Sequence, residues 1–212
     1  MSIYVDSIKK AFDEVDNHKL SDDVFNLHGM SGKLTRIFYN NLLSNISNAR
    51  YLEIGVFLGS TFISALYKNS LDKAVCIDNF QEFKEGSADL LHSNVLNICG
   101  NTHYTLIEGN SFHKETITKC KELGPYNVYM YDGNHSEESH YNALIDYKDC
   151  LDDVFVYICD DWNWEAVKKG TNRAIEEGFD VIYKEEVTCD YNRERSEKWW
   201  NGMIVLVLQK IN

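Results

Sequence analysis

Apolar and polar positions change period several times along this chain. Ile8, Phe12 and Val15 share one face at helical spacing, and Leu34, Phe38 and Leu42, with Ile37 beside them, mark another. Between them Gly29-Met30-Ser31-Gly32 reads as a turn, with Ser31 as N-cap of the second helix. From residue 51 onward, short apolar runs alternate with amphipathic stretches. Residues 51–56, 74–77, 103–108, 126–131 and 154–159 read as strands. Residues 60–68, 82–98, 113–122, 137–150 and 165–178 read as the helices between them. Two last strands, 181–187 and 203–209, flank a polar and then aromatic stretch at 190–200 and read as a hairpin with a long loop. Its antiparallel closing strand is expected at the sheet edge.

Strand–helix alternation of this kind predicts an α/β fold of Rossmann-like type. The expected sheet is seven-stranded and mostly parallel, with an antiparallel closing strand and helices on both faces. Residues 1–48 read as an N-terminal helical cap segment and 49–212 as the ligand-binding domain, one compact unit overall. Ligands in such folds sit at the carboxyl ends of the strands, near the point where strand order reverses. The residues after each strand are therefore the ones to inspect.

Composition narrows the function classes. The net charge of −12 disfavours nucleic acid, because phosphate binding wants a basic face. No apolar run reaches the roughly 18–20 residues of a membrane span, and residues 1–20 carry charge throughout without a signal-like apolar core. A cytoplasmic location and no membrane partner are expected; a homo-oligomer is left open. The six cysteines form no C-x-x-C pair and read as reduced, mostly buried thiols.

The strand ends carry the chemistry. Glu53-Ile54-Gly55-Val56-Phe57-Leu58-Gly59-Ser60-Thr61 gives two glycines for a tight turn, with Ser60 and Thr61 able to cap the next helix. Its G-x-x-x-G spacing departs from the G-x-G-x-x-G of dinucleotide sites, which argues against a nucleotide-sugar or NAD enzyme. Asp78 ends the second strand, where an acid can accept from a ribose diol. Gly109-Asn110-Ser111 offers close approach and a hydroxyl after the third. Asp132 follows the fourth strand, and Asp160 and Asp161 end the fifth. Three carboxylates converging on one spot repel unless a cation joins them, and oxygen ligands suit Mg²⁺, Mn²⁺ or Ca²⁺. His135 stands three residues past Asp132 and can act as a base near neutrality. His140 reads as a helix-surface residue.

Together these motifs resemble class I S-adenosylmethionine-dependent methyltransferases. LEIGVFLGS is similar to their first motif, Asp78 to their ribose acid and Gly109–Ser111 to their adenine-side turn. YDGNHSEES and ICDDWNW resemble the signatures of small-molecule O-methyltransferases of the macrocin/rhamnosyl and catechol type. The resemblance implies S-adenosyl-L-methionine as cofactor, Mg²⁺ or another divalent cation held by Asp132, Asp160 and Asp161, and a small-molecule acceptor hydroxyl. It implies His135 and Asp132 as catalytic residues. It places Met30, Glu53, Gly55, Ser60, Asp78, Ser111 and Asp132 at the cofactor, with Glu53 facing its amino group. Trp162, Trp164, Trp199 and Trp200 are candidates for the acceptor wall. Asn134 stands where the family commonly has an acid. The alternatives are a metal-independent methyltransferase with His135 as base and a non-catalytic Rossmann-like ligand-binding protein.

Overall fold

The computed structural model describes residues 2–189 and 197–211. Three helices come first: α1 (Ser2–Asp13), α2 (Asp22–Asn26) and α3 (Lys33–Asn45). Then strands and helices alternate: β1 (Arg50–Ile54), α4 (Ser60–Leu66), β2 (Lys73–Asp78), α5 (Ala88–Cys99), β3 (Thr105–Glu108), α6 (Lys114–Leu123), β4 (Tyr126–Tyr131), α7 (Glu137–Ile145), β5 (Leu151–Asp160) and α8 (Glu165–Gly178). The strands β6 (Phe179–Val187) and β7 (Met203–Lys210) close the chain. All seven strands join one sheet in the order β3-β2-β1-β4-β5-β7-β6. The first five run parallel, and β7 runs antiparallel to both β5 and β6. No helix among the described residues is long and apolar enough to cross a membrane.

Alternation along the strands divides the core in two. Tyr51, Cys76, Met130, Ile158 and Val205 face one side, where Ile8, Phe38, Leu42 and Phe62 of α1, α3 and α4 pack on them. Leu52, Ile54, Val75, Tyr129, Tyr157 and Leu206 face the other, against Cys120, Leu144 and Val167 of α6, α7 and α8. The N-terminal helices thus cover the same face as α4.

Several boundaries differ from the sequence reading. The helix expected at 82–98 begins only at Ala88, because the Ser87 hydroxyl accepts from Leu90 N and caps it there. Residues 79–87 are loop, with Phe80 in the left-handed region at φ 52°. The helix expected at 137–150 stops at Ile145, and a 3-10 turn, Lys148–Cys150, leads into a fifth strand three residues longer at its start than expected. The antiparallel β7 is not the edge strand. Its run Met203–Leu208 is buried throughout and needs a strand on each side, whereas β6 carries Asp180, Lys184, Glu185 and Glu186 and tolerates the edge. Of the loop expected at 190–200, residues 190–196 lie outside the described residues. Cys76, Cys120, Cys150 and Cys159 are buried, as expected of cysteines that pack in a core.

Candidate functional site

Strand order reverses between β1 and β4, and there a cavity of about 750 Å³ opens at the carboxyl ends of the parallel strands. Every strand from β1 to β5 sends the residues following it into this cavity. Of the predicted residues, Met30, Gly55, Ser60, Asp78, Ser111, Asp132, His135, Asp160 and Asp161 line it. Glu53 does not.

The first turn is built around two glycines. Gly55 has φ 88°, and a Cβ there would lie 1.8 Å from the Asp132 carbonyl oxygen. Only glycine lets β1 end this close to β4. The chain passes through Phe57 at φ 47° and Gly59 at φ 90° before α4. Gly59 is the N-cap, so neither Ser60 nor Thr61 caps the helix as expected. Thr61 Oγ1 instead donates to Glu53 Oε1 at 2.6 Å, and Tyr51 Oη donates to Glu53 Oε2 at 2.6 Å. Glu53 is fully buried with both oxygens engaged, and it stands behind the cavity wall. Burial pushes its pKa up to about 8, against the pull of its two hydroxyl donors.

Ser31 is not an N-cap either. Gly32 takes that place, while Ser31 Oγ lies 2.9 Å from Ser60 Oγ and accepts from Arg36 Nε at 2.9 Å. The 28–31 strap is thereby tied to the start of α4. Asp78 accepts from two backbone amides, Phe57 N and Phe80 N, both at 2.7 Å. Its carboxylate is thereby held rigidly beside the first turn.

The same cavity holds an acidic group. Ligand atoms of Asp132, His135 and Asp161 lie within 4.8 Å of one another. His135 Nε2 is 2.8 Å from Asp161 Oδ2 and 3.8 Å from Asp132 Oδ1. Asp161 also accepts from Asn201 Nδ2 and sits at φ 55°, a strained backbone for a non-glycine residue. Asp160 lines the same cavity at 2% exposure, and its Oδ1 is buried without a hydrogen-bond partner. Burial, then repulsion from Asp132 and Asp161, pushes the Asp160 carboxyl well above the ordinary range. Burial also lifts Asp132 to about 6, opposed by its bond to His135. For His135, burial pulls downward, but hydrogen bonds to Asp132 and Asp161 outweigh it and push the imidazole up to about 10.

His140 is a correction: it lies fully buried under the sheet, its Nδ1 3.3 Å from Cys159 Sγ, and burial drives its pKa down to about 3. The tryptophans divide. Trp162 is core, and Trp199 packs on Phe12 at 5.6 Å between ring centres. Only Trp164 and Trp200 line the cavity, Trp164 edge-on to His135 at 4.6 Å. Arg36 and Asn201 were missed by the sequence reading. Neither falls in a motif: Asn201 lines the cavity, whereas Arg36 touches it only through Ser31.

Comparison with known proteins bears on this arrangement. A methyltransferase-domain family profile matches residues 52–162, just over half of the chain. The O-methyltransferase from Bacillus cereus in complex with SAH aligns at a TM-score of 0.67 and 14% identity, over 97% of this chain and 100% of that one. The cofactor-bound Rv0187 protein from MTB aligns at 0.59 and 14%, over 96% and 88%. The 1320 protein of Thermoplasma acidophilum aligns at 0.56 and 13%, over 99% and 98%. At these identities the likeness is one of fold. No curated protein matches the sequence.

Proposed function

This chain belongs to the methyltransferase-domain family and is a class I S-adenosylmethionine-dependent methyltransferase; from that premise we propose that it methylates a hydroxyl of a small molecule, with a divalent cation at the acceptor. The observation that carries this reading is the acidic cluster at the ends of β4 and β5. Asp132, Asp161 and the unpartnered Oδ1 of Asp160 supply oxygen donors of the kind Mg²⁺ and Mn²⁺ favour. A buried carboxylate oxygen left without a hydrogen-bond partner is costly, and a cation is the natural remedy. The chemistry of these donors supports the metal, with Asp160 set outside the group that Asp132, His135 and Asp161 form within 4.8 Å. Asp132, Asp160 and Asp161 would hold it, and its charge would lower the pKa of an acceptor hydroxyl.

The remaining roles belong to the chain's own side chains. At the cofactor we assign Asp78 to the ribose, Ser111 to the adenine side, and Met30, Gly55 and Ser60 to the methionine end. Glu53 acts at one remove, by fixing Thr61 and Tyr51. His135 Nε2 is assigned to take the acceptor's proton. Were Asp132 and Asp161 to hold a cation, His135 would lose the carboxylate partners that keep it protonated and could act as a base. Trp164 and Trp200 give the acceptor an apolar wall. Transfer from an already activated donor needs little beyond this positioning and deprotonation.

One second reading has an observation in its favour. The 2.8 Å His135–Asp161 contact is a His–Asp pair that could serve a metal-free O-methyltransferase. Asp160→Ala separates the two. The metal reading expects methyl transfer to vicinal diols to be lost while S-adenosylhomocysteine binding stays within about threefold. Full activity in Asp160→Ala would leave His135 and Asp161 as the machinery.

A further inference from the structure

The main cavity suits only part of S-adenosylmethionine. That molecule carries two cationic groups, a sulfonium and an ammonium, and one carboxylate. Asp78, Glu82, Asp132, Asp160 and Asp161 all line the cavity, and no Lys or Arg among the described residues does. His135, the one imidazole in the lining, is already engaged by Asp161. A carboxylate entering here needs positive charge from behind the wall.

Arg36 supplies a charge of that kind. It is only 4% exposed. Its Nη1 donates to the carbonyls of Val24 at 2.7 Å, Phe25 at 3.3 Å and Leu27 at 3.0 Å, and its Nε donates to Ser31 Oγ at 2.9 Å. It forms no ion pair with any described residue. Asp22 and Glu197 line a small side cavity with it but do not pair with it. Burial holds its pKa down to about 10, so it stays protonated at neutral pH. A buried guanidinium with only carbonyl and hydroxyl acceptors is an unbalanced charge.

The path from Arg36 to the cavity runs through two serines. Arginine can only donate, so Ser31 Oγ accepts from it. Ser31 Oγ and Ser60 Oγ are 2.9 Å apart, and both residues line the cavity. Whichever serine donates to the other, one hydroxyl hydrogen remains for a ligand. Gly29 lets the strap close on this group, since a Cβ there would lie 2.3 Å from Ser60 Oγ and 3.5 Å from Arg36 Nη2.

We propose that Arg36 is a positioning residue for the cofactor's carboxylate, acting through Ser31 and Ser60 to select the carboxylated methyl donor. This rests on the family's cofactor and on neither the acceptor nor the metal. Titration calorimetry without acceptor or metal, using S-adenosylmethionine and decarboxylated S-adenosylmethionine, tests it. The readout is the ratio of the two dissociation constants, decarboxylated over intact. That ratio should fall about tenfold in Ser31→Ala and in Arg36→Gln, and Arg36→Lys should restore part of it. Arg36 also holds the carbonyls at the end of α2, so Arg36→Gln could unfold. Ser31→Ala leaves those bonds in place and gives the answer alone. A ratio unchanged within about twofold in Ser31→Ala, with both ligands weakened alike or not at all, overturns the proposal.

Discussion

Glu53 is a carboxyl that the fold keeps protonated well above its ordinary range, and this makes a pH-dependent prediction. Its pKa moves from 4.5 to about 8, with burial as the main cause. The unfolded chain therefore binds fewer protons than the folded one between those values, and stability falls as pH rises through that window. With one unit worth about 1.4 kcal/mol, the loss attributable to Glu53 is about 1 kcal/mol at pH 5 and about 3.5 kcal/mol at pH 7. It levels off above pH 8. Glu53→Gln removes the titration but not the shape. Glutamine keeps one acceptor for the Tyr51 and Thr61 hydroxyls and loses the other, an offset that does not vary with pH. The test is urea unfolding of both proteins, free of cofactor, from pH 5 to pH 8. The wild type should lose about 2.5 kcal/mol relative to the variant between pH 5 and pH 7. Parallel stability curves would refute the reasoning, because they would mean that Glu53 is ionised in the folded protein.

Other consequences follow from the same geometry. Gly55→Ala places a methyl 1.8 Å from the Asp132 carbonyl at a positive φ, so it should cost more than about 3 kcal/mol by calorimetry and abolish S-adenosylhomocysteine binding. His140 works in the opposite direction from Glu53. Its folded pKa of about 3 lies below the unfolded 6.5, so its contribution is present above pH 6.5 and is lost as pH falls toward 3. His140→Gln should accordingly lose about 2 kcal/mol less than wild type on going from pH 7 to pH 5, read from denaturant midpoints. Asp161→Asn should weaken Mn²⁺ binding at least tenfold in an electron-spin titration, since it removes one charged oxygen ligand. Unchanged Mn²⁺ affinity in that variant would take Asp161 out of the ligand set.

Much of this could be read from the chain because local pattern and global fold agree. The alternating apolar runs and the glycine turn at 55–59 announce a parallel sheet with its site at the strand ends, and Asp78, Asp132, Asp160 and Asp161 fall there because strand ends converge. Legibility stopped where tertiary contacts decide. Ser31 and Thr61 have good capping chemistry, yet each spends its hydroxyl on a distant partner, Ser60 and Glu53 respectively. The neighbours that buried His140, on β5 and α8, lie 19 or more residues away. The place of β7 inside the sheet was present in its unbroken apolar run, but a hairpin reading hides it. Asn201 reaches Asp161 across 40 residues, a distance at which no spacing rule operates.

The proposed reaction is methyl transfer to a hydroxyl assisted by a divalent cation at Asp132, Asp160 and Asp161. Its most direct test is transfer of a labelled methyl group from S-adenosylmethionine to a panel of catechols and sugar diols by metal-stripped protein, with and without added Mg²⁺. Labelled methyl ethers should form with Mg²⁺ and drop at least a hundredfold in excess EDTA, about 2.7 kcal/mol of lost transition-state stabilisation. Equal rates with and without the metal, or label found on nitrogen or carbon, would contradict it.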